Sequence, residues 1–290
     1  MPPTALRALL AELIDYAGLF PPAALPLADV QQRYDAYRRS PDAWALGPLV
    51  VPAARLAELA ALIGDGAKDA LPVSALIGDD VAQDAESVRN ANASGRIAVR
   101  SVEARASSLD VMGAVTNAFA KDVVVYLEIP VAEDPREHVV AIRQCGARAK
   151  IRTGGVTPDA FPTAAHCARF IARCAELDVA FKATAGLHHP LRGAFRLTYA
   201  DDAPRGTMFG FLNVFAAGVF ARGSMPETAL AELLDERDVT AFRFTDDAVH
   251  WRAHSISLDD VIAARATFAM SFGSCSFREP IDDLHQLGLL

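Results

Sequence analysis

Along most of the chain, short apolar runs rich in β-branched residues alternate with longer stretches in which apolar positions recur every three or four residues. The runs read ALGPLVVPA, LPVSALIG, GRIAVRSVEA, DVVVYLEIP, RAKIRTGG, VAFKATAGL and, after a gap, VTAFRF. Up to Val179 their starts lie roughly 25 to 30 residues apart, the spacing of strand–helix units that pair in parallel. The intervening stretches predict helices over Arg55–Ile63, Pro135–Cys145 and Pro162–Leu177. In the last, Ala164, Cys167, Phe170, Ile171, Cys174 and Leu177 form one stripe, and Pro162 suits the first helical position. Ile14 to Phe20 supplies a candidate eighth strand. Eight such units close into a (β/α)8 TIM barrel of the α/β class. No GxGxxG and no P-loop pattern occurs, which removes the usual support for an open nucleotide-binding sheet.

The unit becomes irregular after Leu187. Thr207–Ala221 and Pro226–Glu236 predict two consecutive helices, VTAFRFTDDAVHWRAHSIS a strand or a hairpin around Thr245–Ala248, and Leu258–Met270 a final helix before the tail SFGSCSFREPIDDLHQLGLL. No linker rich in Pro, Gly or Ser interrupts residues 1–290, so the expectation is a single α/β-barrel domain.

Composition narrows the setting. The chain is 52% hydrophobic, too apolar for a disordered protein, and its net charge of −8 with basic residues scattered singly argues against nucleic-acid or anionic-membrane surfaces. The start lacks a basic segment followed by an apolar one, and the least charged stretch, Gly206–Ala221, is shorter than a membrane span. A cytoplasmic protein is the expectation, with no membrane partner and a possible homo-oligomeric state. Cys145, Cys167, Cys174 and Cys275 show no CxxC, so no metal site and no cofactor are expected; Cys167 and Cys174 read as reduced core residues. Cys275, in FGSCSF, is a nucleophile by residue type, but nothing near it in sequence supplies a base.

The basic residues carry the sharpest signal. Of 28, all but Lys68, Lys121, Lys150 and Lys182 are Arg. Lys68 and Lys121 fall in polar connections. Lys150 and Lys182 fall inside apolar strand runs, where a charge is expensive unless it is paired or used. Period-two alternation places Lys150 with Arg152 on one face of their strand, and Lys182 with Thr184 on one face of the next. Glycines follow both lysines closely, marking the carboxyl ends of the strands, where barrel enzymes carry their active sites. Glu128, in YLEIP, holds the equivalent position on the preceding strand. Glu128, Lys150, Arg152 and Lys182 are therefore expected to converge in the lumen. An imine-forming lysine must be uncharged when it reacts, and neighbouring cations in a low-dielectric lumen would push Lys182 that way. An interior salt-bridge layer is the alternative for the same residues.

DVAFKATAGL followed by HHPLRGAF resembles the Schiff-base strand of deoxyribose-phosphate aldolase, a class I aldolase TIM barrel, where the run is FxKTSTGF and a Gly-Ala pair opens the next helix. KIRTGG is similar in position to that family's other lysine-bearing strand. The resemblance covers Ala149 to Phe195. It implies a lyase in which Lys182 forms an imine with a small, anionic carbonyl substrate and Lys150 is the neighbouring cation.

His188 and His189, in the loop after the Lys182 strand, are candidates for proton transfer and substrate contact, and Arg192 for clamping an anionic group. The expected catalytic set is Lys182, Lys150, Glu128 and His188, with Arg152, Thr184, His189 and Arg192 binding substrate. Two other readings stand beside it: a metal-assisted hydrolase or isomerase using His188 and Glu128, and a non-catalytic barrel that binds an acidic metabolite. Glu103 is preferred to Arg100 as a lumen residue, Asp15 reads as a solvated cap, and Asn213 as a buried amide bonded to backbone.

Overall fold

The computed structural model describes residues 2–64 and 69–290; Lys68 lies outside them. Eight parallel strands close into a barrel: β1 (Ile14–Tyr16), β2 (Leu46–Pro52), β3 (Leu71–Leu76), β4 (Ile97–Arg105), β5 (Val124–Glu128), β6 (Arg148–Arg152), β7 (Phe181–Thr184) and β8 (Ala269–Ser274). Each neighbour in chain order pairs with the next, and β8 returns to β1 through Ile14 opposite Phe272 and Asp15 opposite Gly273. The α/β (β/α)8 barrel read from the pattern is thus the fold.

The alternation along β7 shows how side chains are sorted. Phe181 faces the helices and packs against Phe170, Phe215 and Phe268, with ring centroids 5.2–6.2 Å away. Lys182, one residue on, faces the lumen. Phe170 comes from helix Ala164–Glu176, whose buried stripe Ala164, Cys167, Phe170, Ile171 and Cys174 is the expected one. Thr163 caps that helix by accepting the His166 N–H, so Pro162 sits just outside it rather than at its first position.

The eighth strand differs from the sequence reading. VTAFRF does not join the barrel: Phe242–Phe244 pairs antiparallel with Ala248–Trp251, which pairs with His254–Ser257, in a small separate sheet. The true last strand overlaps the end of the expected final helix and the start of the tail. Helix Leu258–Thr267 ends three residues early because Ala269, Phe272 and Ser274 belong to a buried extended run. Between β7 and the helix Phe211–Arg222, a hairpin of Gly193–Arg196 and Arg205–Met208 replaces the helix that a Gly-Ala opening implied. Gly193 and Ala194 are strand residues.

Among the described residues, no helix is long and apolar enough to cross a membrane.

Candidate active site

Six charged side chains form an alternating chain that begins inside the barrel and ends at its rim. Asp15 Oδ2 lies 2.6 Å from Lys182 Nζ, which lies 2.5 Å from Glu103 Oε1. The other oxygen of Glu103 is 2.9 Å from Lys150 Nζ, and Lys150 is 2.9 Å from Glu128 Oε2. Glu128 Oε1 then accepts from Arg152 Nε at 2.9 Å. Exposure falls inward: the Arg152 side chain is 42% exposed, that of Glu128 10%, and Lys182 and Asp15 are 1% exposed.

Backbone register explains the convergence. Glu128 stands opposite Lys150 and Lys150 opposite Lys182, while Arg152 stands opposite Thr184, so β5, β6 and β7 present these side chains to one space. Glu103 arrives by a different device. Val73 pairs with Val99, yet Ser74 pairs with Ser101, leaving Arg100 as one extra residue, a bulge. Below it Ile97 and Val99 face the helices; above it Val102 and Ala104 do, and Ser101, Glu103 and Arg105 turn to the lumen. Were Arg100 held in register instead of bulged, strict alternation would send Glu103 into the helical layer. Arg100 itself is exposed.

Hydrogen bonds complete the layer. Ser101 donates to Ser74, Ser74 donates to Glu103 Oε1, and Ser271 donates to Asp15 Oδ2. Asp15 Oδ1 is buried with no hydrogen-bond partner among the described residues, in a niche that a side chain on Gly47 would fill, since a Cβ there would lie 2.2 Å from it. The Tyr126 ring lies 5.2 Å from Lys182 Nζ.

The electrostatics reverse one expectation. Asp15 is not a solvated cap, and with Glu103 it brings the carboxylates to three against the cations Lys150, Lys182 and Arg152. Burial pulls the Lys182 ammonium down, but Asp15 and Glu103 outweigh it and hold its pKa above the ordinary lysine value. Burial pulls Glu103 up, and Lys150 and Lys182 outweigh that, holding its carboxyl far below the usual range. Glu128 is held low in the same way by Lys150 and Arg152. Of the three carboxylates Asp15 alone ends up raised, burial prevailing over the pull of Lys182. Lys182 at rest is therefore an ammonium, and Asp15 is the carboxylate of the layer best suited to take its proton.

The histidines occupy a different place. A cleft of about 300 Å³ opens at the carboxyl-end mouth, lined among others by His188, His189, Tyr199, Arg196, Arg205 and Glu279. His188 Nδ1 lies 3.0 Å from Glu279 Oε2 and 3.9 Å from Cys275 Sγ. His189 stacks on Phe195 and contacts Asp283 at 2.6 Å. His188 and Glu128 are thus not brought together: one is engaged by Glu279 and the other by Lys150 and Arg152, so the ligand pair of the metal-assisted reading does not form. Among the described residues no group of three His, Cys, Asp or Glu is placed to hold a metal ion. Arg192, expected to clamp substrate, instead pairs with Asp235 at 2.7 Å and lies over the Phe209 ring. Its backbone N–H donates to Asn213, whose amide donates to the carbonyls of Leu233 and Glu236, the backbone-bonded role expected for Asn213.

Sequence reasoning underrated Asp15 and Glu103. The adjacent polar pair Arg100-Ser101 inside an otherwise alternating strand was the available sign of the bulge. Asp15 carries no comparable local mark, because its burial depends on β8 closing over it. Neither the models of known protein families nor the curated proteins include a match to this chain.

Proposed function

We propose that the barrel is an aldolase-like lyase that forms an imine between Lys182 and a small, anionic carbonyl compound. The observation that carries this reading is the placement of Lys182 Nζ between two carboxylates, one of which, Asp15, is pushed up by burial and retains an oxygen with no hydrogen-bond partner among the described residues. An ammonium cannot attack a carbonyl. Transfer of its proton to Asp15 across 2.6 Å gives a neutral amine beside a neutral acid without moving charge out of the layer. The amine nitrogen adds to the carbonyl carbon; the oxygen takes up protons and leaves as water, giving the iminium. Cleavage of the bond between the α and β carbons then sends its electron pair into an enamine, while the β-hydroxyl gives its proton to the Asp15 carboxylate and becomes a carbonyl; protonation of the enamine at its α carbon and addition of water release the second product and restore Lys182. Glu103, ionised and shared by both lysines, balances the positive charge of the iminium, and Lys150 stays paired with Glu128. Arg152 and Thr184 sit at the rim side of this layer, where an anionic end would approach.

The balanced charge of the layer favours a second reading, in which the same groups only close the lumen. Incubation with small aldehydes and keto acids plus borohydride, followed by intact-mass and peptide analysis, separates the two. A reduced adduct confined to Lys182 and absent from Lys182→Arg supports the lyase. No adduct, or one distributed equally to exposed Lys121, rules it out and leaves the layer as architecture.

A further inference from the structure

Behind two residues of the mouth cleft, His188 and Tyr199, lies a reactive group that the imine chemistry does not use. Cys275 follows β8 directly and is buried, as is His188. Its Sγ lies 3.9 Å from His188 Nδ1 and 3.5 Å from the Tyr199 hydroxyl. Tyr199 also donates to Glu279 Oε2 at 3.3 Å, and Glu279 holds His188 at 3.0 Å. The proton partner that the sequence around Cys275 lacks thus comes from the loop after β7, 87 residues away. The Tyr16 hydroxyl, buried and with no hydrogen-bond partner among the described residues, has its pKa raised first by burial and, among lesser causes, by the Cys275 sulfur.

We propose that Cys275 is the nucleophile of a second site at the barrel mouth, with His188 as its proton partner, and that this site takes a small anionic aldehyde. Three observations support this. A thiol beside an imidazole that a carboxylate orients is the arrangement that makes sulfur nucleophilic. Burial pulls His188 down, but Cys275 and Glu279 push it up to about 10, so it is an imidazolium at neutral pH, able to give a proton. Arg196 and Arg205, opposite each other in the hairpin, line the cleft together with His188, and the carboxylate of Glu279 is already engaged by His188. In the reaction a carbon–sulfur bond forms, the carbonyl π pair moves to oxygen, that oxygen takes the His188 proton, and the S–H proton of Cys275 replaces it on the imidazole, giving a thiohemiacetal and regenerating His188.

This site lies rimward of the lysine layer. Gly273 stands opposite Asp15, and Cys275 is two residues farther along the same chain, roughly 7 Å at about 3.3 Å per residue. The other cysteines are internal controls: burial raises the thiols of Cys167 and Cys174, and Cys145 is half-buried.

The test is competitive labelling of the native protein at neutral pH with iodoacetamide and with iodoacetate, mapped by peptide mass. Cys275 is expected to react first, with a larger iodoacetate-to-iodoacetamide ratio than Cys145, and about a hundredfold more slowly in His188→Gln. Glyoxylate is expected to protect it at lower concentration than acetaldehyde. Lys182→Arg should leave all of this unchanged, so failure here and failure of the imine are told apart. Equal rates in wild type and His188→Gln, no labelling of Cys275 while Cys145 reacts, or no protection by either aldehyde would overturn the proposal. Should His188→Gln not fold, Glu279→Gln takes its place: slower labelling of Cys275 supports the pair, and an unchanged rate refutes it.

Discussion

Replacing Glu103 by Gln tests whether the lumen layer is a single electrostatic unit. Glu103 touches both lysines and accepts from Ser74, and it is 2% exposed. The amide preserves shape but leaves two carboxylates against three cations, with the excess charge on Lys150 or Lys182, both fully buried. Removing one partner from a buried ionic set costs about 3–5 kcal/mol, because the remaining charge is desolvated without compensation. With a urea m-value of about 3 kcal/mol per molar, the midpoint should fall by roughly 1–1.7 M. The pH dependence has a definite sign. In the wild type the depressed Glu103 contributes stability above its unfolded value of about 4.3, lost as pH falls through its lower folded value. Lys182, held high, contributes stability below about 10.4 that is lost as pH rises through its folded value. In the variant a lysine left short of partners is pulled down instead, so the deficit should shrink as pH climbs toward about 10.4. Urea unfolding followed by the fluorescence of Trp44 and Trp251, repeated across pH, reads all of this. Adding Lys150→Met should recover part of the loss, since the layer is then neutral again. A loss below about 1 kcal/mol, or a double variant no better than the sum of its parts, would refute the view of the layer as one coupled unit.

Gly47→Ala should destabilise by about 1–3 kcal/mol and reduce any Lys182 trapping, because the added Cβ meets Asp15 Oδ1 at 2.2 Å; a wild-type unfolding midpoint would show the niche to be open. His188 should remain protonated past pH 8 and titrate at about 10 by imidazole NMR, its pairing with Glu279 stabilising the fold below about 6.5 and fading as pH rises through 10; a midpoint near 6.5 would show that Glu279 and Cys275 do not hold it.

Much of the fold was legible in the sequence because parallel barrel strands are buried and leave continuous apolar runs, and their helices leave period-3.6 stripes. The runs at β2 to β7 are all barrel strands, and the stripe Ala164 to Cys174 is the buried face of its helix. The last strand was not legible. AMSFGS is short and mixed, VTAFRF looks more strand-like, and only ring closure, in which the final strand must pair with both β7 and β1, selects the former.

The site divides along the same line. Composition and period-two alternation alone determined that Lys150, Lys182, Arg152 and Glu128 share a lumen face, since a charge in a central strand has nowhere else to go. What surrounds them was decided by tertiary structure. The Arg100 bulge turns Glu103 inward, closure by β8 buries Asp15, and together they convert a presumed cluster of cations into a balanced chain that holds Lys182 as an ammonium. His188, Tyr199, Glu279 and Cys275 meet only because the loops after β7 and β8 fold over the same end of the barrel. Sequence patterns report which face a residue occupies; partners far apart in the chain are set by strand register and ring closure, which no local pattern encodes.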